Sequence, residues 1–352
     1  MHTTARKIIG YWLILGCILV FFQVIIGGVT RLTGSGLSIT EWKPIVGAIP
    51  PITAADWQAR FEEYKTVVQF KHLNQDMNLS EFKFIFFWEY FHRLWARFMG
   101  FAFIIPFFFF LYKKWIPTPL LKRLSLVLFW GGLVGLYGWV MVKNGLTGLY
   151  VPPVFLSIHL ILALSLFSYL VWLASYVLSG DMPSGLLATR LKKGIWIAFL
   201  LLFIQVFLGG IVSGMKAGLA YPTWPDMNGE LIPAALYNLP PSLQGIFHYD
   251  PADFWGRTFI QFIHRAVAYI LTLLLLWVSF SNQKFTNDKA ALVGIKLLPF
   301  TVLFQVAIGI FTILNCVGEV PVFWGVMHQA GAMLLIANLS FLVFKAGKNQ
   351  TY

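Results

Sequence analysis

"FFWEYFHRLWARFMGFAFIIPFFFF" occupies residues 86–110 and is apolar for long enough to enter a bilayer. Its first half nevertheless carries Glu89, His92, Arg93 and Arg97. Ionisable groups inside a membrane are costly and are kept for a use or a partner, so this span reads as a helix that carries chemistry. Apolar runs of similar length recur along the whole chain. The 352 residues are 58% hydrophobic and 11% charged, where soluble domains carry about 25% charged residues. The fold class is therefore an all-α integral membrane protein without a large soluble domain. The net charge of +12 would point to nucleic acid in a soluble protein. In a membrane chain it reads as cations in cytoplasmic loops, with membrane lipid and not nucleic acid as the surroundings.

Eight spans are expected at about 8–29, 83–111, 121–142, 152–179, 194–215, 258–280, 291–315 and 320–345. Arg6, Lys7, Lys113, Lys114, Lys122, Arg123, Arg190, Lys192, Lys193, Lys284, Lys289, Lys345 and Lys348 then fall on one side. The other side has few cations in its short connections, such as Lys143. The positive-inside rule places both termini in the cytoplasm. The start "MHTTARKIIG" runs into the first span with no transit-peptide or cleavage pattern, which fits a multi-pass protein of a bacterial inner membrane. Cys17 and Cys316 lie in or beside apolar runs and make neither a CxxC site nor a disulfide framework.

Two long segments face outward, about 30–82 and 216–257. In "TAADWQARFEEYKTVVQF" (53–70), Thr53 and Asp56 have capping-box spacing, and Trp57, Phe61, Tyr64 and Val68 recur at helical spacing. This predicts an amphipathic helix on the outer surface or over the end of the bundle. "YPTWPDMNGELIPAALYNLPP" (221–241) reads as an ordered loop.

The chain repeats itself. "QVIIGGVTRLTGSGLS" (23–38) echoes "QVFLGGIVSGMKAGLA" (205–220), "EYFHRLWARFMG" (89–100) echoes "QFIHRAVAYILT" (261–272), and "SIHLILAL" (157–164) echoes "VMHQAGAML" (326–334). The offsets of 182, 172 and 169 residues keep the order. Four spans per half give both halves the same orientation, a parallel repeat. The expected architecture is two four-helix bundles, residues 1–180 and 181–352.

His92, His159, His264 and His328 lie on the second, fourth, sixth and eighth spans, at matching places in the two halves and at one expected depth near the outer face. A lone membrane histidine is as readily a helix–helix hydrogen bond. Four in register suit two axial pairs for heme iron. A bare metal ion would need further ligands at that depth, where only Glu89 is at hand. Arg93 and Arg265 follow two of these histidines and suit heme propionates, with snorkelling to the interface as the alternative. Gly27, Gly28, Gly209 and Gly210 admit either a flat macrocycle or a close helix approach. His2, His72 and His248 read as surface residues.

Three residues before the histidine, the first half has Glu89 and the second has Gln261. Each shares a helix face with its histidine. A buried carboxyl suggests proton-linked chemistry in the first half and electron transfer in the second. The competing reading is a Glu89–Arg93 ion pair at i, i+4.

At these residues the chain resembles the heme A synthase family, in its mitochondrial and proteobacterial-like branch. The carrying stretches are "GGVTRLTGSGLSITEWKPIVGAIPP" (27–51), "EYFHRLWAR" (89–97), "GWVMVKNGL" (138–146), "PTWPDMNGELIP" (222–233), "QFIHRAVAY" (261–269) and "MHQAGA" (327–332). Neither long outer segment contains cysteine, unlike the family's other branch. The resemblance implies an oxidoreductase that turns the C8 methyl of heme O into a formyl group. Two hydroxylations give a gem-diol that loses water, and the heme A product serves cytochrome c oxidase. It implies His264 and His328 as ligands of a resident heme b, and His92 and His159 around the substrate heme O with Glu89 beside the chemistry. It implies heme O synthase and cytochrome oxidase assembly factors as partners, with an electron-transfer partner it does not name. One position departs: the family often has arginine four residues before the fourth-span histidine, and this chain has Phe155. Lys143 or Arg93 is the expected substitute.

Two other readings stand beside the enzyme. One is a di-heme b-type cytochrome that only transfers electrons. The other is a transporter, since parallel repeats and buried polar groups also occur there. Flat apolar helix faces leave a homo-oligomer open.

Overall fold

A computed structural model describes residues 3–41, 46–180, 187, 189–238, 250–282 and 288–347. His2, His248, Lys284 and Lys348 lie outside these residues, as do 42–45 and 239–249 of the two outward segments. The described chain is almost wholly helical. Its helices are α1 (Thr3–Leu32), α2 (Ala54–Lys65), α3 (Val68–Leu73), α4 (Leu79–Tyr112), α5 (Thr118–Gly145), α6 (Pro153–Ser179), α7 (Thr189–Gly214), α8 (Phe254–Asn282), α9 (Lys289–Leu314) and α10 (Val322–Lys345). All but α2 and α3 are long and apolar enough to cross a membrane, so this is a multi-pass membrane protein.

The ends follow local chemistry. At α4, Asn78 accepts from the Ser80 and Glu81 amides while Glu81 accepts from the Asn78 amide, a capping box four residues ahead of the span expected from hydropathy. Pro117 and Pro152 cap the N-termini of α5 and α6, where no amide hydrogen is missed. Gly180, at φ 82°, ends α6 in a backbone state that suits glycine.

Packing follows one order in each half. α1 packs on α4 and α6, and α5 on α4 and α6; likewise α7 packs on α8 and α10, and α9 on α8 and α10. α6 and α10 join the halves by packing on α7 and α1 and on each other. Across that seam Gln329 donates to the Val24 carbonyl at 3.0 Å, Arg31 donates to the Ser213 carbonyl at 3.0 Å, and the Ser168 and Ser340 hydroxyls bond at 2.7 Å. The main apolar core lies mostly toward one end of the helices and reaches Val24 and Val206, beside Gln23 and Gln205. It includes Ile9 and Leu13 of α1, Leu170 and Leu173 of α6, Leu191 and Ile195 of α7 and Leu339 and Leu342 of α10. The four membrane histidines lie toward the other ends of their helices, beyond most of this aliphatic plug.

The amphipathic helix expected from 53 onward is present, with one correction. It ends at Thr66, whose amide bonds the Glu63 carbonyl, and Val68 opens the separate α3. Phe61 and Tyr64 are buried against Phe82, Ile85 and Phe86 of α4, so α2 covers the N-terminal part of α4. Burial pushes the Tyr64 phenol up to about 12; the hydroxyl donates to Gln69 at 3.0 Å and accepts from Asn74 at 2.7 Å. Cys17 is half-buried, Cys316 is buried, and both are free thiols.

Candidate functional site

The four histidines come from α4, α6, α8 and α10, and each ring rests on a glycine of an adjacent helix. A Cβ built on Gly27, Gly138, Gly209 or Gly309 would lie 2.9, 3.1, 3.1 or 2.8 Å from Cε1 of His92, His159, His264 or His328 respectively. Any residue larger than glycine would push the ring aside. His92 and His159 stand on α4 and α6, both packed on α1, and His264 and His328 on α8 and α10, both packed on α7.

Three of these rings have a further partner. Gln23 Nε2 donates to the His92 carbonyl at 3.2 Å and lies 3.2 and 3.3 Å from the ring nitrogens. Gln205 donates to the His264 carbonyl at 3.0 Å and lies 3.1 and 3.2 Å from its ring nitrogens. Gln305 donates to the His328 carbonyl at 2.9 Å and lies 3.2 and 3.5 Å from its ring nitrogens. Each glutamine stands four residues before the glycine under the same ring, so one helix face supplies both contacts. These glutamines were not singled out from the sequence. The signal was available: "QVIIG" (23–27), "QVFLG" (205–209) and "QVAIG" (305–309).

In each half the two glycines face different partners. Gly27 and Gly209 face histidine rings. Gly28 faces Gln329, and Gly210 faces Ser157, where a Cβ would meet atoms at 2.6 Å in both cases. The second pair admits close approach between the halves.

Above the rings the outer segments are tied down alike. Arg93 donates to the Ile39 and Glu41 carbonyls at 3.1 Å. Arg265 donates to the Tyr221, Thr223 and Asp226 carbonyls at 3.0, 2.8 and 2.9 Å. Ile39 and Glu41 correspond to Tyr221 and Thr223 at the repeat offset of 182. Both guanidiniums thus clamp the backbone that follows the preceding helix, and neither simply snorkels.

The acid differs from its counterpart in what it can bond. Glu89 is 2% exposed and is the one charged residue in the fully buried class among the described residues. Its Oε2 accepts from the Ser38 amide and hydroxyl, both at 2.7 Å, and from the Ile39 amide at 2.9 Å. Its Oε1 accepts from Arg93 at 2.5 Å, so the i, i+4 ion pair is formed. Charge-assisted bonds of this kind stabilise a buried carboxylate. Gln261 instead donates to the Tyr221 carbonyl at 2.9 Å, and its Oε1 is buried without a partner among the described residues.

Phe155 stacks on Tyr137, ring centroids 6.0 Å apart, and Tyr137 stacks on the His159 ring at 6.4 Å. Of the two expected substitutes for the family arginine, Lys143 is exposed with its ammonium over Trp139, and Arg93 donates to the Ile39 and Glu41 carbonyls. His72 is exposed at the end of α3. Among the described residues no three His, Cys, Asp or Glu side chains converge to hold a metal ion. Paired imidazoles with a glycine under each ring instead suit a flat group ligated from two faces.

A profile of the COX15-CtaA family, cytochrome oxidase assembly proteins, matches residues 10–340. The heme A synthase of Nitrosomonas eutropha is 40% identical over 338 residues, covering 95% of this chain and 92% of the relative. That of Nitrosospira multiformis is 41% identical over 335 residues, covering 94% and 91%. That of Flavobacterium psychrophilum is 36% identical over 349 residues, covering 97% and 99%. With its eight candidate spans and its full-length similarity in agreement, the chain belongs to the COX15-CtaA family of cytochrome oxidase assembly proteins.

Proposed function

We propose that this protein is an oxidoreductase that converts heme O to heme A, the product its relatives are named for, by oxidising the C8 methyl group to a formyl group. The observation that carries this reading is the difference between two otherwise matched sites: Glu89 beside His92, and the neutral Gln261 beside His264. An electron-transfer site needs no buried acid, whereas stepwise oxidation of a methyl carbon to a formyl group moves protons as well as electrons, and a buried carboxyl can exchange them close by.

In this reading residues 1–180 form the substrate half and 181–352 the cofactor half, two bundles related by the repeat. His92 and His159 receive heme O from its two faces. His264 and His328 hold a resident heme b, which when bound supplies a one-electron redox centre. Glu89 accepts a proton at its carboxylate, where one of the donors now bonded to it must turn away. Protonation weakens its bonds from Ser38 and Ile39, so the outer segment senses the charge state of the acid. Arg93 and Arg265 use Nη1 and Nη2 on the outer segments and keep further donors for propionates. The cationic loops face the cytoplasm, both termini included, in a bacterial inner membrane. Heme O synthase and oxidase assembly factors are the partners in this scheme.

The shared plan of the Gln23–Gly27–His92 and Gln205–Gly209–His264 groups favours one rival, a di-heme b-type cytochrome. Heme extraction separates the two. The chain is co-expressed with heme O synthase in a host that makes no heme A, and the hemes are resolved by chromatography, with Glu89→Ala in parallel. Heme A from the wild type and its loss in the variant are expected. Heme b alone, with heme O unconverted despite good expression, would establish the cytochrome.

A further inference from the structure

His159 is held differently from the other three rings. The residue four positions before its glycine, where Gln23, Gln205 and Gln305 stand in the other groups, is Val134 in "VGLYG" (134–138). Valine offers the ring nothing but packing. His159 Nδ1 is buried and has no hydrogen-bond partner among the described residues. Its ring is flanked by Gly138 and, at 6.4 Å, by the stacked Tyr137. A stack at that distance supplies no hydrogen bond to the ring, whereas an amide bonded to the main chain and set against the ring nitrogens does.

The pattern fits a division of labour within the substrate pair. A resident group needs both of its ligands held, and His264 and His328 both have an amide. A substrate that enters and leaves at every turnover needs one ligand held and one that lets go. We propose that His159 is the releasable ligand of the substrate half, that His92 is the fixed one, and that Val134 is the positioning residue that keeps His159 loose. This rests on the assignment of His92 and His159 to heme O made above.

Val134→Gln would give His159 the partner the other rings have, and Gln305→Val would take that partner from His328. The purified, heme-loaded protein is reduced and exposed to carbon monoxide, which binds only where an axial ligand has let go. Transfer of heme to excess apomyoglobin gives the loss rate from each half. In the wild type, carbon monoxide binding confined to the substrate half is expected. Val134→Gln should lower that fraction and slow loss of the substrate heme about fivefold, the equivalent of one net hydrogen bond. Gln305→Val should create a new carbon monoxide-binding fraction and speed heme b loss by a similar factor. The second variant keeps the test decisive if the first folds poorly. Wild-type-like binding and loss rates in every variant that folds would overturn the role of Val134. A wild type that carries no heme at either pair would overturn the assignment of the sites themselves.

Discussion

In the second half, Gln205 and Gln305 bond the main chain of both histidines, and the polar residue ahead of His264 is an amide that donates to a loop carbonyl. In the first half only His92 has such a glutamine, and the residue ahead of it is a carboxylate that accepts from loop amides. The glycine under each ring and the arginine clamp on each outer segment are common to both. A duplicated scaffold therefore keeps what positions a flat ligand and varies what fixes, charges or releases it. On the proposed function, the differences more than the shared parts would separate a site where substrate turns over from one where only electrons pass.

The sharpest way to break this comparison is to exchange the two polar residues. Glu89→Gln cannot accept from Ser38, Ile39 and Arg93 together and removes the acid. Loss of heme O conversion by about a hundredfold or more is expected, the scale of a missing general acid or base, with heme b content unchanged. Gln261→Glu would set a carboxylate against the Tyr221 carbonyl, and reduced heme b occupancy in the second half is expected. The hemes are quantified by chromatography and conversion by heme A yield. Full conversion by Glu89→Gln would remove proton handling from Glu89 and leave it as an anchor for the outer segment.

The glycines test what the halves share. Ala at Gly309 would place a Cβ within 2.8 Å of His328, and Ala at Gly27 within 2.9 Å of His92. Overpacking of this kind costs about 1–3 kcal/mol. Gly309→Ala should lose heme b, and Gly27→Ala should lose heme O, each with a lowered thermal midpoint and the opposite half still loaded. Loss from both halves in either variant would show that the two sites are coupled through α6 and α10.

Much of this was legible in the sequence, because hydropathy and duplication are local signals. The eight spans, the repeat, the histidine pairs and the Glu89–Gln261 difference all follow from spacing along one chain. Three features were not legible. The glutamines sit in apolar spans, and the rings they touch lie on other helices; only the recurrence of Q-V-x-x-G hints at a common task. The arginine clamps join residues more than one helix apart, and no local rule links Arg93 to Ile39 or Arg265 to Tyr221. Helical periodicity carried past Thr66 to Val68 although the helix stops there, because a capped end can interrupt an apolar stripe without changing its spacing.

The outer segments supply the smallest and most local contrast. The first carries α2 and its own apolar cluster over α4; the described part of the second has only short 3-10 turns. α2 begins with a reciprocal cap: Thr53 Oγ1 accepts from the Asp56 amide at 3.1 Å, and Asp56 accepts from the Thr53 amide at 2.9 Å. Bonds from the Thr53 amide and hydroxyl and the Ile52 amide hold the Asp56 carboxyl below its ordinary value. Its contribution is therefore present above the unfolded value and is lost as pH falls through the folded one. Removing the cap with Thr53→Ala should cost about 1 kcal/mol of local stability. Faster amide hydrogen exchange across 54–65 is expected, roughly fivefold at one pH, with Phe82 and the rest of α4 still protected. If exchange also rose at Ser38 and Ile39, the α2 cover would be part of what holds the Glu89 loop in place. Unchanged exchange there would confine the cap's influence to α2 and leave Arg93 and Glu89 as the fastening of the first outer segment.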